Sequence, residues 1–415
     1  MLAKIEKAQE FLRSHGWDSW VVLTKYNQDI HSFYLTRRLL RSLHAVIVHA
    51  SGRPILLVNQ SEVEQDSSLL ELDPYIVLTF TNPLEFGTRL RQALDLTTKE
   101  TIQEEPEHPF ARLRRILDHT RVKQQNSITK NITLAANYLD IPYHSYYSSY
   151  DALYASEHLF LHQVLPSAHI VSAFELQQYM RDTKTSIEIE EHEVAAKIGT
   201  EILDDFMEHI GPNKTELELS SELVVEIEKS AEVVFLPSVA FGESTAEPYH
   251  MSSRRKAHTE EPITINIGVR VGTTCADITW TVYLGHNPPD DLLQLQQIIS
   301  QTMEKVPSLI KPALRKKEFA PMYVIDDELR NNVIAYGLHE NLIRHPVGHS
   351  VGLEPHDGFV IEPRSERRFE ENMILSVEPG LYFAGKYGMR QGDNYVIGKW
   401  RVEKTTHAPF ELLTL

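Results

Sequence analysis

Two β-branched runs, ITINI at 263–267 and ITWTVYL at 278–284, lie on either side of a glycine-containing stretch, 268–274. Each holds or adjoins a polar residue that an apolar strand has no reason to carry, Asn266 in the first and Asp277 just ahead of the second, eleven positions apart. Folded back on one another as antiparallel strands across 268–274, the runs aim both side chains at one point. A third apolar run, 374–377, leads directly into Glu378, and a carboxylate so placed is not buried without a partner. The fold must therefore bring polar groups from several strands together.

Around these runs the pattern predicts a large α+β domain. A fourth strand is expected at 395–397, with helices at 186–210, 216–230, 290–305 and 326–339. Thr215 is a candidate N-cap for the second helix, and Gly211-Pro212 closes the first. Ahead of them the chain alternates between helix and strand: a helix over 5–12 stopped at Gly16, a strand at 20–23, and a hairpin of 44–49 and 54–58 about Ser51-Gly52. A strand at 75–78 and helical stretches at 84–94 and 110–117 follow. A chain of 415 residues exceeds what one core usually serves, so two domains are expected, 1–168 and 169–415.

Residues 345–357, HPVGHSVGLEPHD, place three histidines within twelve residues, with Gly348 and Gly352 opening the backbone between them. Neutral imidazole binds metals and exchanges protons near pH 7, so the run suits ligation or acid–base work. In a chain with 20 histidines the alternative is a His-rich surface loop. The formal charge of −17 argues against nucleic acid or an anionic membrane as partner, because the field repels phosphates. A single cysteine, Cys275, allows no intrachain disulfide, and no apolar run has transmembrane or signal-peptide length. These features predict a cytoplasmic protein with neither nucleic acid nor a membrane as its main partner.

With the strand pair, GHSVG (348–352), VEPG (377–380) and RQGD (390–393) in this order, the second half resembles the creatinase, aminopeptidase P, prolidase and methionine aminopeptidase family, whose fold is called pita-bread. The resemblance implies an α+β chain: a C-terminal pita-bread catalytic domain preceded by a smaller α/β domain of the creatinase and prolidase type. It implies Asp277, His349 and Glu378 as metal ligands, and His250, His345 and His356 as proton-handling and substrate-side histidines. The 181–191 segment resembles the family's R-x-x-K…E opening of the catalytic domain. Arg390, together with Arg37 and Arg38 of the N-terminal domain, is implied as substrate-binding, the latter pair across a homodimer.

Two positions depart from the pattern. Where the family has the first Asp and the last Glu of a dinuclear site, this chain has Asn266 and Gly392. Four carboxylates offset two divalent ions in the family, whereas two carboxylates balance one. The expected cofactor is one divalent metal (manganese, zinc, iron or cobalt) or none. Three readings follow: a hydrolase of the Xaa-Pro aminopeptidase or prolidase kind, acting on a small molecule or short peptide, with at most one metal; a metal-independent, creatinase-like C–N hydrolase of a guanidinium or amidinium substrate; and a non-catalytic pseudo-peptidase that only binds.

Overall fold

The computed structural model describes residues 1–25, 28–95, 132–138, 152–310 and 319–415, so the helical stretch expected at 110–117 lies outside the described residues. The chain divides into two compact units, Met1–Gln177 and Gln178–Leu415. Strand His169–Ser172, which the sequence reading assigned to the second domain, is hydrogen-bonded in parallel to Thr133–Ala136 of the first. That pairing carries the first unit past residue 168.

The first unit is built on a six-stranded sheet ordered β4-β3-β2-β1-β5-β6. Its strands are β1 (Ser19–Thr24), β2 (His44–His49), β3 (Ile55–Asn59), β4 (Ile76–Phe80), β5 (Thr133–Ala136) and β6 (His169–Ser172). The expected hairpin is β2–β3, and Gly52 between them takes a left-handed φ of 86°. Every residue of β1 and β2 is buried, which explains why these segments read as continuous apolar runs rather than alternating ones. Phe86 and Leu90 from helix Pro83–Asp95 and Leu161 from helix Ala155–Val164 complete this core.

The second unit contains two larger sheets. One is formed by β7 (Glu232–Val233), β8 (Ser238–Phe241), β9 (Glu261–Val271) and β10 (Thr274–Leu284). The other runs β12-β11-β13-β16-β17, with β11 (Gly348–Ser350), β12 (Val360–Ile361), β13 (Ile374–Val377), β16 (Asp393–Ile397) and β17 (Val402–Lys404). A short ribbon, β14 (Gly380–Phe383) with β15 (Tyr387–Arg390), lies between β13 and β16 in the chain.

β9 and β10 pair along their full lengths, and the turn between them is Gly272-Thr273, tighter than the expected 268–274 because Val269-Arg270-Val271 continues the strand. Gly272 adopts φ 60°, the left-handed conformation such a turn requires. The hairpin has two distinct faces. Ile263, Ile265, Ile267, Ile278, Trp280 and Val282 pack under helices Ser186–Phe206 and Glu216–Glu228, each fully buried aliphatic contributing about 1.5–3 kcal/mol. The opposite face carries Thr264, Asn266, Asp277, Thr279 and Thr281, with Thr264 Oγ1 and Thr281 Oγ1 2.9 Å apart across the strands. Both helices open with capping boxes, at Thr185/Glu188 and at Thr215/Glu218, the second on the expected N-cap Thr215. Helices Asp290–Ile310 and Tyr323–Ala335 cover the second sheet through Leu295, Ile299, Ile325 and Leu329.

Candidate active site

The polar face of the β9–β10 hairpin meets the second sheet through Asn394. Its side-chain amide accepts from the Asp277 backbone N–H (3.0 Å) and donates to the Asp277 carbonyl (2.7 Å), acting as a surrogate strand partner. Gly392 and Thr279 bond reciprocally through their backbones beside it. The clamp sets Asp277 against β13, after which comes Glu378, and against β11, which carries His349 in register with Ser376. Sequence reasoning missed Asn394, and its only signal there was a polar residue within the strand-like DNYVI.

Asp277, His349 and Glu378 are all buried and converge as expected. His349 Nδ1–H donates to the Ser350 carbonyl at 3.1 Å, so in the neutral ring Nε2 carries the lone pair, and in the charged ring it carries a proton facing Glu378. Nε2 lies 3.3 Å from Glu378 Oε1 and 3.8 Å from Asp277 Oδ2, yet it makes no hydrogen bond to either. Burial opposes charging of this imidazole, but Glu378 and Asp277 outweigh it and raise its proton affinity. Burial, reinforced by the charge of Glu378, pushes the Asp277 carboxyl up. Glu378 moves the other way: burial opposes its ionisation, but Arg390 and His349 hold it ionised. Arg390 is buried at the end of β15 with Nη1 3.6 Å from Glu378 Oε2.

The two departing positions are filled in different ways. Asn266, diagonal to Asp277 on the same sheet face, donates from Nδ2 to Asp277 Oδ1 (2.7 Å), Thr279 Oγ1 (2.9 Å) and the Ile278 carbonyl (3.2 Å). A Cβ on Gly392 would stand 3.1 Å from Glu378 Cβ and 3.3 Å from Thr279 Cβ, so any side chain there must push its neighbours aside.

The accessory histidines divide. His356, exposed, stacks on His349 with ring centroids 3.9 Å apart, and one ligand atom each from Asp277, His349 and His356 fall within 4.8 Å of one another. A proton on His349, and desolvation after it, lower the proton affinity of His356. His345 donates from Nδ1 to the Pro346 carbonyl (2.7 Å) and accepts at Nε2 from the Tyr382 hydroxyl (2.8 Å). His250 bonds instead to Glu216, at 2.8 Å. Arg37 ends helix Ile30–Thr36 of the first unit with φ 56°, and Arg38 in the same unit reaches Asp66 (3.8 Å) and Ser68 (3.4 Å).

Beneath the histidine run lies a buried ionic network that sequence reasoning noticed only as R-x-x-K. Asp357 accepts from Arg181 Nε at 2.6 Å and from Lys184 Nζ at 3.0 Å, and Arg181 also bridges to Glu354. Gly352 is obligatory there, since a Cβ would fall 2.1 Å from Asp357 Oδ2. The network pins residues 352–357, the segment that brings His356 onto His349.

The profile of metallopeptidase family M24 matches residues 190–399, more than half of the chain. The chain belongs to metallopeptidase family M24. It is thus a hydrolase of that family, and its fold is the pita-bread fold expected from the motifs. Among similar proteins, the Bacillus subtilis peptidase YqhT is 28% identical over 254 residues, 61% of this chain and 70% of that one. The Pyrococcus furiosus Xaa-Pro dipeptidase is 27% identical over 236 residues, 56% of this chain and 66% of its own length. In three dimensions a Thermococcus sibiricus prolidase matches 99% of this chain and 98% of its own, with a TM-score of 0.74 at 22% identity. Escherichia coli aminopeptidase P matches with a TM-score of 0.71 at 16% identity, over 97% of this chain and 94% of its own.

Whether the residues of this M24 chain suit a divalent cation is decided by His349 and by charge. A buried nitrogen without a hydrogen-bond partner, beside two carboxylates, fits a ligand position. Two carboxylates and the Arg390 guanidinium leave a net −1 with neutral histidines; one divalent ion makes that +1, and a second would make it +3. The donor set fits one cation. No helix among the described residues is long and apolar enough to cross a membrane.

Proposed function

We propose that this M24 chain hydrolyses the C–N bond of a short Xaa-Pro-type peptide at a site that accepts at most one divalent cation, held by Asp277, His349 and Glu378 with His356 alongside. The observation that carries this reading is the buried, unbonded Nε2 of His349 between two carboxylates, in a pocket where Asn266 and Gly392 stand at the other ligand positions. When bound, the cation supplies Lewis acidity and a lowered pKa for water. The chain supplies the rest. Arg390 anchors one oxygen of Glu378 so that the other faces His349, and the Tyr382–His345 pair is a polar donor–acceptor couple beside Arg390. His250 and His356 exchange protons with substrate, a role worth roughly 10²- to 10⁴-fold in rate. In a homodimer, Arg37 or Arg38 from the partner's copy of the first unit takes a substrate carboxylate.

Metal content of protein purified without chelator, measured with turnover of Xaa-Pro dipeptides before and after exhaustive chelation, tests the proposal. At most one ion per chain is expected, with turnover lost on chelation and restored by Mn²⁺. Two tightly bound ions would refute it.

A second reading, metal-independent hydrolysis of a guanidinium- or amidinium-type substrate, has its own support. Glu378 already has two cationic or cation-prone neighbours, Arg390 at 3.6 Å and His349 at 3.3 Å. Undiminished turnover of such a substrate by metal-free protein would select this reading.

A further inference from the structure

His250 lies between Tyr249 and Met251, which are 69% and 81% exposed, yet its own ring is turned inward onto Glu216. Glu216 is fully buried at the first turn of helix Glu216–Glu228, and all its neighbours are donors. Oε1 accepts from the Phe241 N–H (2.9 Å), while Oε2 accepts from the Ser253 N–H (2.8 Å), the Ser253 hydroxyl (2.6 Å) and His250 Nε2 (2.8 Å). A carboxylate among donors stays ionised: burial alone would raise its pKa, but these hydrogen bonds lower it. An ionised carboxylate only accepts, so the proton of neutral His250 must sit on Nε2. Among the described residues no group bonds Nδ1, which is left as the basic nitrogen.

The segment is also tied to the site. Ser238 Oγ donates to the His250 carbonyl at 2.8 Å, and Ser238 is the cross-strand partner of Asn266. Ser252 Oγ accepts from the Val239 N–H at 2.8 Å, so the loop is stapled to β8, one strand from β9. A shift of this loop is therefore a shift relative to Asn266.

We propose that Glu216 is a positioning residue: it fixes the Nε2–H tautomer and the ring orientation of His250, so that Nδ1 is the nitrogen that takes and returns the substrate's proton. This rests on the proton-transfer role of His250 proposed above. When Nδ1 accepts a proton, the imidazolium keeps its Nε2–H on Glu216 and the charge pair is neutral overall. Carboxylates orient imidazoles in this way in catalytic triads and beside metal-bound histidines.

The test combines ¹⁵N-imidazole NMR of the full-length protein with a double-mutant cycle read on an Xaa-Pro dipeptide. The expected spectrum shows the Nε2–H tautomer for His250, lost in Glu216→Ala, which leaves Nε2 without its acceptor. We expect Glu216→Gln to lower kcat about 10- to 100-fold with little change in KM. The Glu216→Gln/His250→Ala double variant should be no slower than His250→Ala, because Glu216 acts only through His250. An Nδ1–H tautomer in the unmodified protein overturns the proposal, and this holds even where Glu216→Gln does not fold. Fully additive losses in the cycle also overturn it, since they assign Glu216 a purely structural role. An unchanged kcat in His250→Ala refutes the catalytic role of His250 instead, and then the tautomer result alone reports on the pair.

Discussion

At the scale of single residues, the proposed single-cation site turns on Asn266. Its amide nitrogen donates to Asp277 Oδ1, where a carboxylate would need a cation between the two acids. Asn266→Asp should therefore lower the stability of metal-free protein by about 1–3 kcal/mol, the cost of a lost buried donor, with like-charge repulsion adding to it. Mn²⁺ should restore that loss in the variant more than it stabilises the parent, because the variant pocket is more negative by one charge. Thermal melts of both proteins with and without Mn²⁺ measure this. Equal melting temperatures and equal Mn²⁺ responses would show that the 266 side chain does not govern cation binding. Adding Gly392→Glu brings the fourth carboxylate, and metal content should rise toward two ions per chain. The 3.1 Å approach to Glu378 Cβ means this second step also costs packing.

At the scale of elements, the histidine run is held by charges it does not itself contain. Asp357, Arg181 and Lys184 are all buried, so removing the Asp357 carboxylate takes the ion-pair partner from Lys184 and leaves Arg181 with Glu354. Asp357→Asn should destabilise the fold by roughly 3–5 kcal/mol near neutral pH. The sign with pH follows from the same contacts: burial opposes ionisation of Asp357, but Arg181 and Lys184 bring its pKa down from 3.8 to about 2. A depressed folded pKa stabilises above the unfolded pKa and is lost as pH falls from about 4 toward 2, so the gap between parent and variant should narrow across that window. Urea titrations at pH 7 and at pH 3 measure it, and a gap that widens on acidification would contradict the ionic account. The sequence showed these elements unevenly. The β9–β10 pair was legible because its apolar residues and its polar residues alternate onto opposite faces, and the N-cap at Thr215 was legible because capping is local. The turn was placed too broadly because Gly268 reads as a breaker, whereas in the fold it is a strand residue opposite Asp277 with the Phe235 ring where its Cβ would be. The convergence of Asp277, His349 and Glu378 was legible from motif order. The Asn394 clamp, the Glu216–His250 bond and the Asp357 network were not, because each joins residues 34 to 176 positions apart through buried polar atoms that no local periodicity reports.

At the scale of the molecule, the lone cysteine reports on the unit that carries the site. Cys275 is fully buried among Val351, Ile374 and Val396, two residues before Asp277, and burial pushes its thiol up to about 12. A thiol so placed does not react until the second unit opens, so labelling by a disulfide reagent in mild denaturant measures the opening of that unit alone. Trp17 and Trp20 lie in the first unit and Trp280 and Trp400 in the second, so fluorescence follows both, and a two-step fluorescence transition of which only one step coincides with the labelling midpoint would show that the two units do not unfold as one. Labelling also tests the cation site without any turnover. An ion that binds only the folded pocket stabilises it by about 2.7 kcal/mol at a hundred times its dissociation constant, which slows labelling about a hundredfold when opening is a rapid pre-equilibrium. Mn²⁺ is the suitable probe because thiolate favours softer ions, so the free thiol does not compete for it. Glu378→Gln should abolish the slowing while Cys275 stays protected in the native state. If Mn²⁺ leaves the parent's labelling rate unchanged up to millimolar concentration, the pocket takes no such ion, and the charges of Arg390 and His349 alone balance its acids.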